Sequence, residues 1–562
     1  MASIQVSARK AKAGIVLLSL FMLLTIILAG CGNGGGATNT VHHKNSVTLV
    51  ANQAGDLVRN FNPFSGNVIT GTPGLIYETL LFFNRTDDTV HPWLASSYEF
   101  SANATQLLFH LRTDVKWSDG QQFTSADVKF TLDELVKYND LDIQGIAGYI
   151  KSVTTPDQFT VQITLNQAWS PILWYLGGQT WIVSQHEWAA VSGDPGKFAD
   201  PNPIGTGPYT VGTFTPQLLV LNKNKNFWQP GKPAVAQVRF PAFSSNESSE
   251  LVLNTNGIDW NSQYSPNIQK TYVDRDPTHH HYWFSPSDVV FLYLNLSKAP
   301  FNNLAVRQAI SAAINRDRLY KVSESGYEPV TSPTGLVLPA SQSYLDPQYT
   351  SLKFTQNASQ AASELQSAGF TKGTDGFYRD KSGKKISFTI NVPEGYSDWI
   401  TSCQFMADDL KAIGLDVSVN TLSYDTYYNA MQVGSFDTSM WGTNPGPSPF
   451  YIYDSLLRSA NSAALGQQAG SNFERWLDPA TDKLLAQYST SNDPALQKQA
   501  IYGLEKIMIE QLPSIPLVNE PYWYEYNTEY WVGWPDQAHQ YAEPSPYAYP
   551  DNEVVLLHLQ PS

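Results

Sequence analysis

The chain has 562 residues, far more than one minimal core needs, so two or three lobes are expected. Its formal net charge of −15 argues against a nucleic-acid groove, which requires a basic field. Charged residues make up only 15% of the chain, while 15 Trp, 30 Tyr and 26 Phe suit, besides ordinary cores, a large cleft that encloses a neutral solute.

Arg9, Lys10 and Lys12 precede an uncharged apolar run from Gly14 to Ala29, slightly short of the roughly 20 residues of a bilayer span. The run has no polar face, as a core helix would, and small residues Ala29 and Gly30 sit just before Cys31 as a processing peptidase requires. Leu28, Ala29, Gly30 and Cys31 resemble the lipobox of bacterial lipoproteins, which implies a signal peptide over 1–30 and lipidation of Cys31; an uncleaved signal anchor is the alternative. The glycine-rich segment 31–44 then reads as a tether between lipid and folded body. Removing Arg9, Lys10 and Lys12 with the leader takes the net charge from −15 to −18.

"SVTLVA" opens the body as a strand. Leu107, Phe109 and Leu111 alternate as in a second strand, "SDG" makes a turn at Gly120, and Thr124 caps a helix starting near Ser125, with Asp127 as its capping-box partner. "ITLNQAWSPILWYLGG" reads as strand, turn and short apolar helix, and the glycines and prolines of "NPIGTGPYTVGTF" suit a crossing between lobes. A helical region is expected over "LAVRQAISAAINRDRLYKV", where Leu304, Ala309 and Ile310 begin an apolar stripe and Asn315 opens a more polar end. "EGYSDWITSCQFMADDLKAIGLDVSVNTLS" reads as strand end, helix, Gly414 at the C-cap, then strand. Cys403 falls on the apolar face of that helix and reads as a small buried hydrophobe, with a catalytic thiol as the alternative and no neighbouring histidine to activate it. The pattern is α/β, without internal repeats.

"LRTDVKWSDGQQFTSADVKF", "NPIGTGPY", "LYLNLSKAPFNNLAVRQAISAAINRD", "SAGF", "KAIGLDV" and "GSFDTSMWG" occur in an order that resembles the oligopeptide- and dipeptide-binding family of extracytoplasmic solute-binding proteins, solute-binding family 5 of the ATP-binding-cassette importers. Its signature matches at Leu111, Arg112, Asp119, Gly120, Phe123, Thr124, Asp127 and Val128, positions expected to be structural. The resemblance implies an α/β, periplasmic-binding-protein-like fold of two lobes, with an extra subdomain on lobe one and ligand in the interlobe cleft. Lobe I is expected at 45–79, 206–295 and 520–562, the subdomain at 80–205 and lobe II at 296–519. It also implies a monomer that closes on its solute and delivers it to membrane permease subunits, on the extracytoplasmic side, without catalysis or cofactor.

Peptide-binding members carry, shortly after a Gly-Trp pair, an aspartate for the ligand's α-ammonium. This chain reads "MWGTNPGPSPFYIYDS", with no acidic residue between Trp441 and Ile452. A buried ammonium without a counter-charge is costly. Asp398 beside Trp399, the Trp441 loop and the ending "GWPDQAHQYAEPSPY" resemble instead the oligosaccharide-binding branch. Trp399, Trp441 and Trp534 are then expected to stack on sugar rings, with Asp398 and Asn444 bonding hydroxyls. Each tryptophan is as readily a core residue, and a short peptide is the alternative ligand.

Of other classes, an exported glycosidase would need two carboxylates about 5 Å apart, which 50 acidic residues cannot specify. No Gly-x-Ser-x-Gly elbow or His-Glu-x-x-His helix is present. His279, His280 and His281 form a tract in a family that includes nickel and haem carriers, but consecutive side chains on a strand alternate, so no metal site is expected.

Overall fold

The computed structural model describes residues 45–51, 55–87, 89–101, 104–443, 445–491 and 493–562. Two large sheets organise them. The first runs His280–Tyr282, Glu525–Asn527, Trp260–Ser262, Ser46–Ala51, Gln237–Pro241, Leu218–Lys223 and Tyr209–Thr215. Its centre is parallel, Ser46–Ala51 lying between Gln237–Pro241 and Trp260–Ser262, and its outer pairs are antiparallel. The second runs Asp416–Leu422, Ser387–Pro393, Thr438–Trp441, Ser285–Leu294 and Ser514–Tyr522. Ser387–Pro393 is parallel to both its neighbours, whereas Ser285–Leu294 is antiparallel to both of its own.

The chain therefore crosses between the sheets twice, at 283–284 and 523–524, and the crossings are tied by the Trp283 amide donating to the Tyr524 carbonyl at 3.0 Å. Two expected boundaries move accordingly. Strand Ser285–Leu294 was expected in the first lobe and pairs in the second sheet, as does Ser514–Tyr522 up to Tyr522. The reason is that a strand's lobe is decided by its hydrogen-bonded neighbours, which local sequence does not name.

A four-stranded antiparallel sheet, Ala95–Phe100, Gln106–Leu111, Thr160–Leu165 and Ile150–Asp157, lies within 80–205 together with helix Ser125–Lys137. Leu107, Phe109 and Leu111 are buried, as their alternation requires. The signature residues hold this unit together. The Thr124 amide donates to Asp127 at 2.9 Å, and the other Asp127 oxygen accepts from the Gln185 amide at 3.0 Å. Asp119 accepts from the Gln121 amide (2.9 Å) and contacts the His186 ring (2.9 Å), Gly120 adopts φ +97°, and Leu111, Phe123 and Val128 are core. The Arg112 guanidinium lies over the Trp228 ring, 4.2 Å from its centre.

The "GTGPY" segment is not a crossing between the large sheets. It returns the chain from the subdomain to Tyr209–Thr215 and is laced to Leu75 and Ile76, with Gly207 and Tyr209 amides donating to their carbonyls at 2.9 Å. Its glycines are required by that approach: a Cβ at Gly205 would stand 1.8 Å from the Ile76 carbonyl oxygen. The helix expected from Leu304 ends at Ala313, and Asn315 caps a separate short helix, Arg316–Arg318; helix Ser397–Ile413 is present, ending at Gly414 with φ +102°. Cys403 is fully buried, its sulfur 3.7 Å from that of Met440.

Gly205→Ala is expected to destabilise the protein by about 3 kcal/mol or more, since backbone must yield, and a lowered urea midpoint checks this. Beside Tyr77, burial pushes Asp200 up to about 7; burial first and then the Asp200 charge push Glu187 up to about 8. Both acids ionise near their ordinary values when unfolded but hold their protons to higher pH when folded. Their stabilising contribution is complete below about pH 4 and is lost as pH rises through 7 and 8. The urea midpoint should thus fall between pH 5 and 8, and less steeply in Asp200→Asn.

Candidate functional site

The two lobes meet around the paired crossings. From the first lobe, Tyr264 follows strand Trp260–Ser262 and reaches across: its hydroxyl donates to the Ser323 carbonyl at 3.0 Å and contacts Ser325 Oγ at 2.6 Å. Phe284 and Trp523, one on each crossing, pack edge-on with centroids 4.9 Å apart, and Tyr264 and Tyr327 pack edge-on against Trp523. Aromatic rings fill this junction and bury both crossings.

A second contact joins helix Asn246–Leu253 of the first lobe to the start of helix Ser397–Ile413 of the second. Asn246 Nδ2 donates to Asp398 Oδ1 at 3.3 Å, and the Asn246 amide donates to the Gly395 carbonyl at 3.5 Å. Gly395 has φ +85°, and a Cβ there would meet the Ser244 carbonyl oxygen at 2.8 Å, so this approach of the lobes depends on glycine. A third joins the subdomain to the second lobe: Tyr175 and Trp174 pack against Tyr451, with centroids 5.4 and 6.0 Å away.

Of the expected sugar contacts, the structure brings three together. Trp399 and Trp441 meet edge-on, centroids 5.9 Å apart, and Asp398 adjoins Trp399 in the chain. Trp399 is buried in the second lobe's core, whereas Trp441 is half-buried and surrounded by Tyr424, Tyr427 and Tyr428, with centroids 5.6 to 6.0 Å away. Trp534 is elsewhere. It is buried against Trp260 and Tyr526 in the first lobe, with Nε1 donating to the Trp531 carbonyl at 2.8 Å, so its ring is committed to that core. Asn444 and Cys31 lie outside the described residues.

The sequence reading missed the carboxylates that gather here. Glu324, Glu328 and Asp398 are buried, with an oxygen of each within 4.8 Å of the others. Asp288 and Glu520 flank the Gly442 turn: a Cβ on Gly442 would meet Glu520 Oε2 at 2.8 Å and Asp288 Oδ2 at 2.9 Å. Asp288 also accepts from the Thr443 amide at 2.6 Å and from the Thr443 hydroxyl. Burial pushes Asp398 and Asp288 up to about 6; burial and then the Asp288 and Asp398 charges push Glu520 up to about 8. Glu324 is driven well above the carboxylate range by burial and then by the Asp398 charge, and Glu328 by burial and then by the Glu324 and Asp398 charges. The one available signal was the pair of glutamates in "SESGYE", four residues apart around a glycine.

The histidine tract disperses as alternation requires: His279 turns to Asp276 (2.7 Å), His280 to the Tyr272 carbonyl (2.9 Å) and His281 to Thr528 (3.2 Å).

The profile of the bacterial extracellular solute-binding proteins, family 5 (middle), matches residues 89–464. The chain belongs to this family. It is 26% identical over 497 residues to the probable ABC transporter periplasmic-binding protein SapA of Escherichia coli, covering 82% of this chain and 85% of SapA. Two solved structures share the two-lobed α/β fold. A mannohexaose-bound periplasmic oligopeptide-binding protein of Thermotoga maritima superposes with TM-score 0.86 at 24% identity, over 93% of this chain and 99% of its own. The oligopeptide-binding protein AppA of Bacillus subtilis, in complex with a nonapeptide, superposes with TM-score 0.78 at 18% identity, over 92% and 99%. The family 5 chain is thus a solute-binding component of ABC importers, and none of its described helices is long and apolar enough to cross a membrane.

Tyr264→Phe removes the hydroxyl that bridges the lobes, at a cost of about 1 kcal/mol. It should shift the lobes toward opening about fivefold, seen as a larger radius of gyration by small-angle X-ray scattering and weaker solute binding.

Proposed function

We propose that this family 5 protein is a lipid-anchored receptor, held through Cys31 on the extracytoplasmic side of a bacterial membrane, that closes on a short oligosaccharide and presents it to its ABC permease. The supporting observation is the Trp441 platform: a half-buried indole, ringed by Tyr424, Tyr427 and Tyr428, beside the closing contact of Asn246 with Asp398. An indole face accepts the apolar C–H face of a sugar, and the neighbouring carboxylate and amides accept and donate to its hydroxyls. The fold it shares with a protein solved with mannohexaose agrees with this reading. Trp399 supports Trp441 from behind, and Trp534 has no part in the platform.

A short peptide is the second reading, favoured by Glu520 and Asp288. Their convergence on Gly442 puts negative charge beside the loop that lacks the usual aspartate, where an α-ammonium would need it. A glycosidase gains little from the acidic cluster, because Glu324 and Glu328 are 0% exposed and no glycosidic oxygen reaches them.

The test is a thermal-shift screen of the full chain in mild detergent against cello-, xylo- and manno-oligosaccharides and di- to pentapeptides, with calorimetry on any hit. A saturable sugar that raises stability, weakened about tenfold or more by Trp441→Ala with unchanged circular dichroism, is the expected result. Saturable peptide binding without any sugar, weakened by Glu520→Gln, would replace it with the second reading.

A further inference from the structure

The chain around Glu324 is built to bring acids together. Short helix Leu319–Ser323 ends at Glu324, and the Tyr327 amide donates to the Glu324 carbonyl at 2.9 Å across a turn whose central residues, Ser325 and Gly326, have φ +52° and +81°. This left-handed turn folds the chain back so that Glu328 returns beside Glu324. Asp398 enters from the first turn of helix Ser397–Ile413, and one turn on, Ser402 donates to Glu324 Oε1 at 2.5 Å. Glu324 and Glu328 are 0% exposed and Asp398 is 5% exposed. Glu324 Oε2 and both oxygens of Glu328 accept no hydrogen bond.

Buried polar atoms are nearly always partnered, and three buried carboxylates without a cation oppose one another. Their spacing points to what is meant to lie between them. Oxygens that share one calcium ion, each bound at about 2.4 Å, stand at most about 4.8 Å apart. The oxygens of Glu324, Glu328 and Asp398 lie within 4.8 Å of one another. The set is all hard oxygen, without imidazole or thiolate, which disfavours zinc, nickel and copper.

We infer that Glu324, Glu328 and Asp398 form a binding site for a hard divalent cation such as calcium, set in the second lobe beside the interlobe contact. Two of its ligand segments are touched from the first lobe, Asp398 by Asn246 and the Ser323–Ser325 turn by Tyr264. The ion joins the turn to the helix and so stiffens the surface on which the first lobe closes. The inference does not depend on whether the transported solute is a sugar or a peptide.

The test is calorimetric titration of the full chain in mild detergent, stripped with EDTA, with CaCl2, MnCl2, MgCl2 and, as an organic cation, methylammonium chloride. One saturable Ca²⁺ per chain is expected, bound more tightly than Mg²⁺ and accompanied by a raised melting temperature. Glu328→Gln and Asp398→Asn should each weaken it about tenfold or more while circular dichroism is unchanged. Terbium luminescence, sensitised by the nearby aromatics and quenched by added Ca²⁺, reads the same site in the unmodified chain should either variant fail to fold. No saturable divalent binding and no sensitised terbium emission would overturn the inference. So would Ca²⁺ binding that both variants leave intact, or saturable methylammonium binding that Ca²⁺ does not displace.

Discussion

Everything in this molecule hangs on two adjacent peptide segments, 283–284 and 523–524, where the chain passes between its two large sheets. They run side by side, joined by the Trp283–Tyr524 hydrogen bond, and they are short. The two short segments run antiparallel, which fixes the lobes to each other along one narrow seam. On either side of that seam, Asn246 meets Asp398 and Tyr264 meets the Ser323–Ser325 turn.

Around the interlobe contact, aromatic and acidic side chains gather in adjoining zones. The aromatic zone, centred on Trp441, offers dispersion and burial with few charges to desolvate. The acidic zone, behind Asp398 and around Gly442, is electrostatically costly unless protonated or matched by positive charge. Other buried carboxylates with an unpartnered oxygen, such as Glu78, Glu474 and Glu525, keep a partner on the second, and Glu543 and Asp454 take Arg85 and Arg458. Against that background the unaccepting oxygens of Glu328 stand apart.

Local pattern carried much of the fold into view. Strand Gln106–Leu111, helix Ser125–Lys137 with its Thr124 and Asp127 cap, and helix Ser397–Ile413 with Gly414 follow from alternation, capping and left-handed backbone, all of which operate within a few residues. The strand Ser285–Leu294 shows where this stops. Its apolar run is equally suited to either sheet, and only pairing with Thr438–Trp441 and Ser514–Tyr522 assigns it to the second. Trp534 and Trp441 illustrate the same limit for the site, since both adjoin glycine- and proline-rich segments, and one fills a core while the other is half-buried.

The sequence by itself determined that this is a family 5 binding protein, because that identity resides in short ordered strings whose glycines, caps and core residues are read locally. It also determined where most helices and strands begin and end. Which lobe a strand joins, which aromatic rings meet, and that Glu324 and Glu328 stand against Asp398 some seventy residues away were decided only by tertiary structure. The physical reason is that burial and charge proximity are properties of space. A glutamate's cost or use depends on what surrounds it after the chain has crossed between the sheets, and no window of neighbouring residues contains that information.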